Sequence, residues 1–165
     1  MNNIQEAIQS IHQTTDQIIE AVQPLEANLI EWKPADEVWS IMEVLCHVEE
    51  ATPYWLNEIK QVAKTPGVEW GRGLQHEGRL AAVASAPHRS LDAVLEGIRN
   101  SKEMVQNVLG SLEEQDLTTE SPSRNPRFGT KPLIFIIEHL LVEHLDKHLK
   151  QIERNIHQYS MKQTS

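Results

Sequence analysis

The sequence lacks the features that mark secreted, membrane and nucleic-acid-binding proteins. Its single cysteine, Cys46, rules out a disulfide within the chain. The first residues have neither the basic nor the apolar stretch of a secretory signal, and the longest apolar run, residues 132–137, is far shorter than the roughly 20 residues that cross a bilayer. Lysine and arginine form no cluster, and the net charge of −9 disfavours nucleic acid. We therefore expect a cytoplasmic protein that binds neither a membrane nor nucleic acid.

Aromatic residues are also few, at 5%, and only 39% of the residues are hydrophobic. The apolar residues nevertheless recur at the spacing of helices, which argues against disorder. A chain of 165 residues has the usual length of one domain. We expect a single domain over residues 1–165, with a frayed tail over about 158–165.

Four long segments have the periodicity of amphipathic helices. The first covers about residues 3–22 and ends before Pro24. The second begins at Ser40, whose spacing to Glu43 predicts a capping box, and Pro53 predicts a kink or a local break within it. The sequence shows no internal repeat and no strand-like alternation.

The other two helical segments follow long irregular connections. Residues 66–87 form the first of these, with a short helix expected over Arg79–Ser85. The third segment begins near Ser90; the fourth follows a proline-containing loop, with Thr130 as its N-cap, and ends near His157. Together the four segments predict an all-α fold, a four-helix bundle with long crossover loops.

Two histidines on the fourth segment have the spacing of metal ligands. His144 and His148 are four residues apart, so they lie one above the other on one helix face. They continue the apolar series of Ile137, Leu141 and Ile152, and we therefore expect both rings to point into the bundle. Two imidazoles placed in this way can bind one metal ion, as in other helical His-x-x-x-His sites.

His47 on the second segment is the third candidate ligand. It lies between Val44 and Ala51 on the apolar face, and metal sites in bundle cores draw ligands from facing helices. Three histidines leave a fourth position for water or substrate, as in catalytic zinc sites. The alternative is that the rings are hydrogen-bonded core residues that bind no metal.

The remaining candidates are weaker. His139 is turned about 140° from His144 on a regular helix, and His76 could approach the site only from the long loop. Cys46 is expected to be a buried, inert thiol.

Two stretches of the sequence match a known family. Trp39-Ser40 is followed by EVLCHVE at residues 43–49, and LLVEHLDKHLKQI occupies residues 140–152. A less specific block lies at residues 78–91. With these features the chain resembles the DinB/YfiT-like superfamily of bacterial metal-binding four-helix bundles, over roughly residues 30–155.

The resemblance implies a metal triad at His47, His144 and His148, with zinc or nickel as the ion, and it favours a homodimer. Relatives include bacillithiol-dependent S-transferases and mycothiol-dependent isomerases. The first functional hypothesis is therefore metal-dependent transfer of a low-molecular-weight thiol to a small electrophilic substrate.

Two alternatives remain open. One is metal-dependent hydrolysis at the same three histidines, and the other is a non-enzymatic, stress-associated interaction domain that binds metal. In the enzyme hypotheses Glu43, Glu143 and Gln151 are candidates for hydrogen bonds that orient the ligand rings.

Overall fold

The structure is a computed structural model that describes residues 3–164, with no side-chain description for Thr164. Its α-helices are α1 Asn3–Val22, α2 Ala27–Glu31, α3 Ile41–Lys64, α4 Glu77–Ala84, α5 Leu91–Gly110, α6 Leu133–Ile137 and α7 Glu143–Thr164. A π-helical segment, Glu138–Val142, joins α6 to α7. Met1, Asn2 and Ser165, which belong to the predicted domain and its tail, lie outside the described residues. Within residues 3–164 every helix is too short or too polar to cross a membrane.

Four long elements form the predicted four-helix bundle, and their order around the bundle is not sequential. Helix α5 packs on both α1 and α3, and α7 packs on the same two helices. Helices α1 and α3 are therefore at opposite corners, as are α5 and α7. The chain crosses the bundle between α1 and α3 and again between α5 and α7, which confirms the crossover connections. One continuous cluster of buried apolar side chains fills the interior.

Helix α3 begins as predicted. The Ser40 hydroxyl accepts a hydrogen bond from the Glu43 amide at 3.1 Å, and the Glu43 carboxylate accepts one from the Ser40 amide at 2.9 Å. Pro53 does not interrupt the helix, which continues from Ile41 to Lys64, so of the two predicted outcomes, a kink or a local break, the break does not occur. The burial of α3 against α5 and α7 outweighs the hydrogen bond that proline removes.

A small hairpin replaces part of the loop predicted before the fourth helical segment. Strand β1, Glu120–Pro122, pairs antiparallel with β2, Thr130–Pro132. Gly129 precedes β2 with a φ of 65°, a conformation that glycine adopts without steric cost. Thr130 is therefore a strand residue and not the predicted N-cap, and α6 begins only at Leu133. Strands of three residues are too short for alternation to reveal them.

Helix α7 continues beyond its predicted end at His157, as far as Thr164. The extra turns are held to the N-terminal half of the chain by Tyr159. Its hydroxyl donates to Glu26 at 3.2 Å, and its ring packs edge-on against Trp32 at 5.5 Å between centroids. The residues expected to form a frayed tail are thus helical as far as they are described.

The loop after α3 is anchored to the hairpin and to α3 itself. Trp70 is completely buried and donates from its indole nitrogen to the Ser121 carbonyl at 2.8 Å. The Gly71 amide and the Arg124 guanidinium both donate to the Glu58 carboxylate of α3 at 2.8 Å. These contacts fix the loop and the hairpin, and both contribute side chains to the cavity described below.

Candidate metal centre

Three histidine rings from two helices meet at one point in the bundle. His47 of α3 and His148 of α7 are each 3% exposed, and His144 is half-buried. The Nε2 atom of His144 lies 3.2 Å from Nε2 of His47 and 2.9 Å from Nε2 of His148. Within residues 3–164, these are the one group of three potential ligand residues whose ligand atoms all lie within 4.8 Å of one another.

The separations between the nitrogens fit a single bound ion. Two nitrogens bound to a tetrahedral zinc ion at its usual bond length are about 3.3–3.4 Å apart. The observed separations of 3.2 and 2.9 Å are slightly shorter, and small ring rotations would close the difference. A set of three imidazole nitrogens suits zinc, nickel and other borderline ions.

Gln151 determines which nitrogen of His148 holds the proton. Its side-chain oxygen lies 2.7 Å from His148 Nδ1, and because an amide oxygen can only accept, Nδ1 must donate. In the neutral ring Nε2 then has a free lone pair, directed towards the other two histidines. This is the tautomer that a ligand bound through Nε2 requires.

All three rings are neutral at physiological pH. Burial is the largest cause that lowers the pKa of His47 and of His144 to about 2, and the charge of the neighbouring His148 is the second largest. Burial also lowers the pKa of His148 to about 4, against the opposing effect of its hydrogen bond to Gln151. The rings therefore offer lone pairs to a cation without first losing protons.

Trp39 packs on two of the rings. Its ring centroid lies 5.2 Å from that of His47 and 6.4 Å from that of His148. Asn155 of α7 is fully buried and holds Trp39 in place by donating to its carbonyl at 2.9 Å. Nδ1 of His47 is buried and has no hydrogen-bond partner in the described part of the chain. Packing, and not a hydrogen bond at Nδ1, therefore orients the His47 ring.

The three histidines line a cavity of about 370 Å³, a volume that suits a small molecule. The apolar part of its wall consists of Trp55, Leu74, Phe128 and Leu140. The cationic part consists of Arg72, Arg79, Arg127 and Lys147. The cavity is thus positively charged although the chain as a whole is acidic.

Of the three residues proposed to orient the rings, Gln151 hydrogen-bonds to one of them. Glu43 instead caps α3 and lies 3.6 Å from Lys33 Nζ. Glu143 lies 3.4 Å from Nδ1 of His139. Across residues 3–164, neither carboxylate hydrogen-bonds to a ring of the triad.

His139 lies in a π-helical segment just before the triad histidines of α7 and lines the same cavity. The Glu143 amide donates to the Glu138 carbonyl, five residues back. This π-helical turn replaces the regular geometry that predicted a separation of about 140° between His139 and His144. His139 and His144 both line the cavity.

His76 and Cys46 do not join the triad. The Nδ1 atom of His76 accepts from the Gly78 amide at 3.2 Å and so caps α4, which starts at Glu77, two residues earlier than predicted. Cys46 is buried, and burial raises the pKa of its thiol, as expected for an inert cysteine.

Sequence reasoning missed Asn155, Arg79 and Lys147 as residues around the triad. Lys147 directly precedes His148, so its proximity was visible in the sequence. Arg79 comes from α4, a short helix whose docking position has no local signal. Asn155 could be recognised only as a polar residue on the buried face of α7.

The fold and the triad together define a class: a four-helix bundle with crossed connections and three clustered histidines. A sequence model of the DinB superfamily matches residues 10–152. The chain therefore belongs to the DinB superfamily. No curated protein sequence matches it significantly.

Two solved structures are similar to the chain in fold. The first is YfiT from Bacillus subtilis, which is described as a probable metal-dependent hydrolase with an unusual four-helix bundle topology. The match has a TM-score of 0.80 at 13% sequence identity, and it covers 97% of this chain and 90% of YfiT. A mutant of a mycothiol-dependent maleylpyruvate isomerase has a TM-score of 0.64 at 15% identity, and the match covers 94% of this chain and 60% of the isomerase. At these identities the likeness concerns the fold alone.

Proposed function

We propose that His47, His144 and His148 bind a divalent metal ion, zinc or nickel, and that the chain is a metal-dependent enzyme acting on a small molecule in the adjoining cavity. The observation that supports this proposal is the convergence of three neutral Nε2 atoms on the wall of that cavity. Three protein ligands leave one coordination position open, which is the arrangement of catalytic sites.

Thiol transfer is the reaction we favour. A divalent ion held by His47, His144 and His148 would act as a Lewis acid and would lower the pKa of a bound thiol or water molecule. Arg79 and Lys147 add positive charge on the same cavity wall, which favours a thiolate over a thiol. Trp39 shields His47 and His148 from water, and Gln151 holds the His148 ring in its ligand orientation.

Hydrolysis is the second candidate, and the pair formed by Glu143 and His139 supports it. Both residues line the cavity, and the Glu143 carboxylate lies 3.4 Å from His139 Nδ1. A carboxylate beside a metal site can accept a proton from an attacking water molecule. The description of YfiT as a probable metal-dependent hydrolase agrees with this candidate.

Metal content is the first test. The wild type, His144→Ala and the control His157→Ala, an exposed residue of α7, should be purified without a histidine tag and their metal measured by elemental analysis. We expect near-stoichiometric metal in the wild type and the control and little in His144→Ala. A wild type that neither contains nor takes up zinc or nickel would overturn the proposal and leave three core histidines.

The reaction is tested on the metal-loaded protein. Conjugation of monobromobimane to bacillithiol, cysteine or glutathione, with and without zinc, tests thiol transfer, and a panel of esters and amides without thiol tests hydrolysis. Thiol-dependent turnover alone supports the transferase, and turnover without thiol supports the hydrolase. Stoichiometric metal without either activity would refute the enzyme proposal and favour the non-enzymatic metal-binding domain.

The family resemblance also leads us to propose a homodimer. Analytical ultracentrifugation distinguishes the mass of one chain, 18.8 kDa, from twice that mass. A monomer at all accessible concentrations would contradict this proposal and leave the metal site untouched.

A further inference from the structure

The cationic wall of the cavity is not neutralised by the protein itself. Arg72 is the exception, because its guanidinium donates twice to the Glu50 carboxylate at 2.6 and 2.7 Å. Arg79 and Lys147 form no ion pair in the part of the chain that the structure describes, 3–164. The cavity wall contains one carboxylate, Glu143, whose oxygen lies 3.4 Å from His139 Nδ1. Positive charge therefore exceeds negative charge beside the triad.

Arg79 and Lys147 converge on the triad from two different helices. Arg79 is on α4 and Lys147 on α7, and both line the cavity of about 370 Å³ beside the triad and also a neighbouring one of about 310 Å³ on the side of Trp39. His148 lines both cavities too. The two cations thus lie where the cavities meet, next to a proposed metal ligand.

The surroundings of Arg79 leave part of its guanidinium free for a ligand. Nη1 donates to the Leu74 carbonyl at 3.0 Å, and the group lies 5.2 Å from the centre of the Trp39 ring. These contacts fix its position but supply no negative charge. Burial and the charge of Arg72 lower the pKa of the Arg79 guanidinium, and they outweigh the opposing charge of Glu50, which is itself paired with Arg72. A partly desolvated cation beside another cation is stabilised by an anion.

We propose that Arg79 and Lys147 form an anion-binding subsite beside the three histidines, which holds a carboxylate or phosphate group of a small organic ligand. The apolar wall around Trp55, Phe128 and Leu140 would hold the rest of that ligand. The subsite thus specifies the substrate class of the proposed enzyme as organic anions. The subsite proposal depends on the proposed function only where it names the substrate of the reaction. Anion binding by Arg79 and Lys147 itself requires no metal.

Calorimetric titration of the metal-stripped protein tests the subsite directly. The probes are succinate and inorganic phosphate at low ionic strength, with neutral succinamide as the control ligand. The variants are Arg79→Gln and Lys147→Gln. The matched control is Arg99→Gln, because Arg99 is exposed, pairs with Glu96 on α5 and lies outside the cavity wall. Circular dichroism verifies that each variant is folded.

We expect 1:1 binding of at least one anion, no binding of succinamide, and affinity weakened about tenfold or more in each of the two variants, as for loss of a charge-assisted hydrogen bond. The Arg99→Gln control should bind as the wild type does. No anion binding by the wild type, or equal weakening in the control, would overturn the subsite. Zinc uptake measured on the same samples separates the two proposals. Zinc binding without anion binding refutes the subsite alone, and anion binding without zinc binding refutes the metal site alone.

Discussion

The three buried, neutral rings predict that the metal-free protein is sensitive to mild acid. In the unfolded chain a histidine has a pKa of about 6.5, whereas in the folded chain the pKa values of His47 and His144 are about 2 and that of His148 is about 4. Below pH 6.5 the unfolded state therefore binds protons that the folded state does not. Stability begins to fall as the pH drops below about 7.5 and continues to fall as the pH decreases towards 4.

The size of the effect follows from proton linkage. Each ring that stays neutral in the folded state at pH 5 reduces the free energy of unfolding by roughly 2 kcal/mol. Three rings give an upper limit of about 6 kcal/mol, within the typical total stability of about 5–15 kcal/mol. Because His144 is half-buried and lines the cavity, water reaches it and its share is smaller, and we expect a measured loss of about 4–6 kcal/mol between pH 7 and pH 5.

Urea denaturation of the chelator-treated protein measures this loss. Titrations at several pH values between 7 and 5 give the free energy of unfolding in a range where most carboxylates remain ionised. The variant His144→Gln should show a loss smaller by up to about one third, because one ring no longer titrates. His157→Gln, which changes an exposed residue of α7, should follow the wild type.

Two results would refute this reasoning. A wild type whose stability is the same at pH 5 and pH 7 would show that the rings are protonated in the folded state, and hence not buried as the structure places them. Equal pH dependence in the wild type and in His144→Gln would show that the acid sensitivity comes from other groups.

Two further predictions concern single hydrogen bonds. Gln151→Leu removes the hydrogen-bond acceptor of His148 Nδ1 and should weaken zinc binding about 10- to 100-fold in a chelator competition. Gln151→Glu, which still accepts this hydrogen bond, should retain tight zinc binding. Equal zinc affinities of Gln151→Leu and the wild type would contradict the orienting role of Gln151. Ser40→Ala breaks the capping box of α3 and should lower the free energy of unfolding by about 1 kcal/mol in urea denaturation, and an unchanged midpoint would contradict it.

The sequence predicted the long helices and the family because both are encoded in local patterns. The capping box at Ser40 and the helical spacing of apolar residues depend on neighbours within a few positions. The crossed order of the helices was anticipated only from loop length and resemblance. The hairpin at Glu120–Pro122 depends on pairing across the chain and had no visible periodicity.

The clustering of the three histidines was predictable from the sequence, and the surroundings of the cluster were not. His144 and His148 were found from one helical turn of sequence, and His47 from its place on an apolar face. The position of His139 could not be predicted, because the π-helical turn at Glu138–Val142 changes the angle between residues five apart. The approach of Arg79 depends on how α4 docks against α3, which is a tertiary effect.

Net charge and local charge lead to opposite conclusions in this protein. The net charge of −9 disfavours a polyanion, which would contact much of the surface. A small anion meets only the cavity wall, where Arg79 and Lys147 exceed the available carboxylate charge. Interactions between exposed charges fade beyond a screening length of about 8 Å at physiological salt. The acidic exterior and an anion-binding cavity are therefore compatible. The cavity can be recognised only from the three-dimensional arrangement of the cations, because the net charge does not indicate it.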